Sequence, residues 1–271
     1  MRPLGGIAFR VNPRRGLDIG AAWFGGVPFA WIGPAGEGGG DASEWREAWG
    51  GGLLTTCGLD NVGAASEGIG LHGTYTFLEA RDVETKRSVS EVLVRGTVDD
   101  PRGLRVERTI RSAVGSARVE LVDRTTNLSG DALEAPVLYH VNLGWPLWDG
   151  GARVESAAAE VRPRDEDAEP HDWSTAPREP VDLPERVWEH VGASRAVVVN
   201  EALGLRLAVE SDLPRLWQWV DPAPGVYALG LEPANCSVLG RAHDRAAGTL
   251  PFLAPGEVRT TRIAITVEEL G

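Results

Sequence analysis

Arg262-Ile263-Ala264-Ile265-Thr266-Val267 sets three β-branched aliphatic residues on alternate positions, with Arg262, Ala264 and Thr266 between them. This is the period of a strand, whose successive side chains point to opposite faces. Further out, Arg118-Val119-Glu120-Leu121 repeats the pattern, and similar runs occupy 89–98, 104–110, 137–141, 196–200, 205–209 and 226–231. Turn residues separate them: Asp99-Asp100-Pro101-Arg102-Gly103, Asn127-Leu128-Ser129-Gly130-Asp131 and Ala254-Pro255-Gly256-Glu257. Helical period is scarce. Many short strands with Gly/Pro turns predict an all-β fold, a large antiparallel sandwich. No repeat or compositional break divides the chain, so one domain spanning 1–271 is expected.

Two stretches depart from the pattern. Residues 33–40 are glycine-rich without phosphate-binding spacing, which predicts a loop, and they lead into Asp41–Trp49, the one segment with a helical turn. Residues 162–189 are acidic, proline-rich and poor in apolar side chains, which predicts a long loop of the kind that lies over functional sites.

Composition narrows the partners. At 271 residues with 42% hydrophobic content, the chain can bury a substantial core. A formal net charge of −12 argues against nucleic acid and against anionic membranes, leaving small molecules open. No apolar run approaches the length of a membrane helix, and Met1-Arg2-Pro3-Leu4-Gly5-Gly6 lacks a secretory apolar core. Cys57 and Cys236 lack metal or redox spacing, so free, buried thiols in a reducing cytoplasm are expected, with no metal and no cofactor. Ten tryptophans outnumber five phenylalanines and three tyrosines. Most belong in a core, but indole faces also pack on sugar C–H groups while the N–H reaches a hydroxyl.

Three polar islands end strand-like runs: Gly70-Leu71-His72-Gly73, Tyr139-His140-Val141-Asn142 and Leu231-Glu232-Pro233-Ala234-Asn235. Strand parity puts His140 and Asn142 on one face and Tyr139 and Val141 on the other. It likewise puts Glu232 with Ala228 and Gly230, opposite Tyr227, Leu229 and Leu231, and Pro233 is expected to end ladder pairing there. A histidine and a glutamate without metal suit general acid/base chemistry, with reference pKa values of about 6.5 and 4.3 leaving the carboxylate ionised. Each residue also has a structural reading. A strand histidine is often only a hydrogen-bonded one, and Glu232 could pair with Arg241 at a rim. His171, His190 and His243 are expected at the surface.

These islands resemble the aldose 1-epimerase (galactose mutarotase-like) superfamily, specifically its DUF4432 branch. The resemblance extends through Arg15-Gly16-Leu17-Asp18-Ile19-Gly20, residues 51–59, Asn61-Val62-Gly63, and residues 139–147, and covers about 10–267. It implies a galactose mutarotase-like β-supersandwich with a sugar cleft, and an isomerase that interconverts sugar anomers. By resemblance Glu232 is the base, His140 the acid, and His72, in the "HG" segment, orients or polarises the ring oxygen. Asn61, Asn142, Trp219 and Arg241 are candidate substrate binders. The arginine that mutarotases carry before the "HG" segment has no counterpart in 57–63, with Asn61 or Arg15 standing in. Their hydroxyl-binding aspartate is unmatched, with Trp188-Glu189-His190 the candidate segment. The expected partner is a small-molecule sugar and the expected state a monomer or homodimer. The same pair could serve a ketose/aldose or uronate isomerase, and the sandwich alone could serve a non-catalytic carbohydrate-binding domain.

Overall fold

The computed structural model describes residues 5–40 and 45–271, so Met1–Leu4 and the first part of the expected Asp41–Trp49 turn lie outside the described residues. Two antiparallel sheets dominate. One has six strands in the order 160–163, 186–191, 215–221, 228–234, 137–143, 55–58; the other has eight, in the order 153–156, 195–200, 205–211, 258–269, 118–127, 104–113, 91–99, 81–87. A three-stranded and a two-stranded sheet complete the β-structure. The expected sandwich is therefore present, and its alternating runs became strands with boundaries shifted by a few residues. Among the described residues, no helix is long and apolar enough to cross a membrane.

The period-two pattern explains the packing. Ile263, Ile265 and Val267 meet Val119, Leu121, Ile110 and Val106 from neighbouring strands in one core cluster, which Val141, Leu143, Leu229 and Leu231 enter from the six-stranded sheet. Strands 137–143 and 228–234 are buried at every position, because their second face is covered too. A separate cluster of Trp31, Trp45, Cys57, Leu138, Trp217, Trp219 and Val238 lies there. Antiparallel sheets often leave one face to water; here that second face builds the site. Cys57 and Cys236 are free and buried within it.

Immediately behind the site, a buried ionic strut ties the sheets together. Arg108 donates to Asp123 through Nε (2.9 Å) and Nη2 (2.7 Å), to Asp18 (2.7 Å) and to Thr56 (2.8 Å). Tyr139 donates to Asp123 at 2.7 Å. Tyr139 thus points into the sandwich, as parity predicts, and its neighbour His140 points away. Removing one partner of such a network costs about 3–5 kcal/mol, because the remaining charge stays buried.

Pro233 does less than expected. Pairing with strand 137–143 is interrupted between Leu138↔Ala234 and Val141↔Leu231, where Pro233 has no N–H to give. On its other side the ladder continues through Leu216↔Pro233 to Arg215↔Ala234. The strand therefore runs on to Ala234.

Candidate active site

Register places the central pair. Glu232 lies opposite Trp217, His140 lies opposite Thr55, and the shared pairing of strands 137–143 and 228–234 sets His140 and Glu232 side by side. His140 Nε2 stands 3.0 Å from Glu232 Oε1, with both side chains 3% exposed. Neither His140 Nδ1 nor Glu232 Oε1 has an aligned hydrogen-bond partner among the described residues, and both atoms are buried. Gly230 makes room for them: a Cβ there would stand 2.7 Å from His140 Cε1 and 2.8 Å from Glu232 Oε1.

Around this pair lies a cavity of about 290 Å³. Trp45, Trp49 and Trp219 wall it, with Trp49 and Trp219 ring centroids 4.9 and 5.3 Å from that of His140. The Trp49 indole is fixed by a 3.0 Å hydrogen bond to Thr55 Oγ1. Trp219 Nε1 donates to Glu185 Oε2 at 2.9 Å, and Arg46 donates to Glu185 Oε1 at 3.1 Å. Arg164 also lines this cavity, on the Glu185 side.

His72 enters from the "HG" loop, its ring 4.7 Å from Trp45 and 5.9 Å from His140. Its backbone is left-handed (φ 56°), a conformation costing a non-glycine residue about 1–2 kcal/mol. Two backbone hydrogen bonds hold it there, His72 N–H to Gly63 O and Gly58 N–H to His72 O. Gly63 N–H donates to His72 Nδ1 at 3.3 Å, which leaves the proton of the neutral ring on Nε2, a donor.

Burial reverses the expected ionisation. It pushes Glu232 up to about 8, with the nearby Glu185 charge adding to the rise and Arg164 opposing it. It pushes His140 well below its ordinary value, helped by His72. His72 falls to about 4, again through burial. At neutral pH the free site therefore holds a carboxylic acid beside two neutral imidazoles, where reference values predicted a carboxylate.

The structure brings together His72, His140, Trp219 and Glu232 from the predicted set. The other four do not line the cavity. Asn61 is spent on its own loop, donating to Ala64 O and Gly70 O and accepting from Arg241 N–H. Asn142 donates to Gly52 O and His140 O. Arg241 serves Asp60 O, Glu67 and Glu134; it makes no pair with Glu232. Arg15 clamps the glycine-rich loop through Gly38 O and Gly40 O.

His190 is likewise not at the surface: it is fully buried against Gln218, while Trp188 is core and Glu189 pairs with Arg215. His243 is exposed as expected, and His171 is half-buried. Sequence reading missed Trp45, Arg46, Trp49, Arg164 and Glu185. The first three come from the segment after the glycine-rich loop, and the last two from the acidic, proline-rich stretch. That stretch had been expected near the site, although its ends, 162–163 and 186–189, are strand.

Comparison with known proteins agrees with this architecture. A family model described as a domain of unknown function, DUF4432, matches residues 1–267, and the chain belongs to that family. Among solved structures, a candidate aldose 1-epimerase of Klebsiella pneumoniae is similar at a TM-score of 0.86 and 22% identity, over 97% of this chain and 77% of that one. A candidate aldose 1-epimerase of Escherichia coli K12 gives 0.68 and 18%, over 98% and 97%. A galactose mutarotase-like protein of Clostridium acetobutylicum gives 0.68 and 14%, over 98% and 94%. These likenesses define the galactose mutarotase-like fold. A comparison with curated proteins finds no match.

Proposed function

We propose that the protein interconverts the anomers of a sugar or sugar derivative by acid/base ring opening at His140 and Glu232. The observation that carries this reading is the 3.0 Å contact between His140 Nε2 and Glu232 Oε1 inside a tryptophan-walled cavity. Two groups at that spacing suit two oxygens bonded to one carbon, the anomeric hydroxyl and the ring oxygen.

The pair shares one mobile proton. A carboxylic acid beside a neutral imidazole, and a carboxylate beside an imidazolium, are the same inventory with ownership exchanged. Either way one group donates and one accepts. The acceptor takes the anomeric hydroxyl proton while the donor protonates the ring oxygen, the C1–O5 bond breaks and the aldehyde forms. Rotation about C1–C2 presents the other face, and reversal of both transfers closes the ring. In this reading His72 Nε2–H orients the ring oxygen, and Trp49 and Trp219 offer faces to the sugar. Each proton transfer contributes on the order of 10²–10⁴ in rate.

Exchange NMR on a panel of aldoses tests this. Wild type should equilibrate the anomers of at least one sugar faster than buffer, and Glu232→Gln should lose that acceleration. Equal exchange with both proteins for every sugar overturns the proposal.

A further inference from the structure

We infer that the sugar taken at His140 and Glu232 carries an anionic substituent, bound by Arg164 where this cavity meets a second one. The inference rests on the acid/base reading above for its sugar, and extends it to the charge of the substrate.

The second cavity has a volume of about 260 Å³, and Arg164 and Leu239 line both. Arg162 and Arg215 face it as well, together with Glu189 and Asp244. The carboxylates on this side are engaged, Glu189 and Asp244 by residues that line the same cavity. Glu189 accepts from Arg215 at 2.6 Å, Glu185 from Arg46 and Trp219, and Asp244 from Ser237 N–H and Thr249. Arg162 is held by Glu160 at 2.7 Å.

Arg164 is the exception. Its side chain is 22% exposed, and Nε donates to Asp165 Oδ2 at 2.5 Å. Nη1 stands 3.8 Å from Glu185 Oε1, too far for a hydrogen bond, and Nη2 has no acceptor among the described residues. Asp165 and Glu185 thus offset part of its charge but leave the Nη1/Nη2 edge open. A guanidinium offers a planar fork that matches carboxylate or phosphate oxygens two at a time. Arg164 lines the same cavity as His140 and Glu232, so the inferred ligand sets its anomeric end against that pair and its anion at the junction.

Binding, read apart from turnover, separates this inference from the catalytic reading. Matched sets of neutral hexose, hexuronate and hexose 6-phosphate, in gluco, galacto and manno configuration, are titrated calorimetrically against wild type, Arg164→Gln and Arg164→Lys. In at least one set an anionic member should bind tenfold or more tighter than its neutral parent. Arg164→Gln should abolish that preference, and Arg164→Lys, which keeps the charge but not the fork, should keep only part of it. The uronate and phosphate arms identify which anion is meant. Equal or weaker binding of anionic members in every set, no binding at all, or a preference that survives in Arg164→Gln overturns the inference. Failure of the anomer exchange would leave this ratio measurable.

Discussion

No side chain fits at Gly230 without displacing His140, because a Cβ there would lie 2.7 Å from His140 Cε1 and 2.8 Å from Glu232 Oε1. Both groups sit on adjacent strands of a sheet buried on two faces, so neither can retreat far. Gly230→Ala is therefore expected to spread the pair by a fraction of an ångström. Misplacement on the scale of 1 Å costs roughly 10²-fold in rate, and a loss of about 10- to 100-fold is predicted. Exchange NMR beside a thermal melt checks it: activity should fall far more than the melting temperature.

The protonation of Glu232 sets a pH dependence of stability. Between about 4.5 and about 8 the native protein keeps a proton at Glu232 that the unfolded chain has released. Its contribution to stability therefore falls as pH rises through that window and levels off above it. Glu232→Gln removes the effect, so its stability relative to wild type should improve from pH 5 to about pH 8 and level off above. Denaturant midpoints for the two proteins at several pH values check the slope. His72 acts with the opposite sign in an overlapping window: between about 4 and 6.5 the unfolded chain takes up a proton that the native ring refuses, so stability falls as pH drops there.

Glu185 reaches the chemistry through its charge. It accepts from Trp219 and Arg46 and helps hold Glu232 up. Burial raises Glu185 itself, but hydrogen bonds from Arg46 and Trp219 and the Arg164 field outweigh that and keep it ionised. In Glu185→Gln the transition of Glu232 should move to lower pH, carrying the alkaline limb of the pH–rate profile with it. Loss of charge-assisted bonds to the wall should also raise KM, roughly tenfold. An unshifted limb would contradict the link between the two carboxyls.

Asn61 tests the scaffold. Its side chain satisfies Ala64 O, Gly70 O and Arg241 N–H in a buried position, and thereby shapes the loop that strains His72. Asn61→Ala should cost about 1–3 kcal/mol in chemical denaturation, the range for stranded buried polar groups. Arg15, which clamps a loop from outside the cavity, offers the contrast. Arg15→Ala should leave the pH–rate profile unmoved.

How much of this was legible in the sequence depends on what kind of order each residue obeys. Alternation in 262–267 and 118–121 fixed the faces of strands, and parity separated Tyr139 from His140 onto opposite faces, as the structure has them. Parity could not distinguish a polar side chain aimed at a cavity from one consumed by backbone carbonyls. Asn142 shares the His140 face by parity, yet its amide N–H groups are given to Gly52 O and His140 O, and Asn61, offered by resemblance, gives its own to Ala64 O and Gly70 O. Trp45, Arg46, Arg164 and Glu185 reach the cavity along irregular or short segments, where no period announces a direction. The ionisation of Glu232 also escaped, because reference values presume water and the residue is 2% exposed.

The central claim is that His140 and Glu232 act as one proton-sharing unit. A double-mutant cycle on the anomer exchange rate tests it most directly, using His140→Gln, Glu232→Gln and the double variant with the sugar that wild type handles fastest. Each single change should remove roughly 10²–10⁴ in rate, and the double should be no slower than the worse single. Losses that multiply in the double variant, or a single variant as fast as wild type, would contradict it.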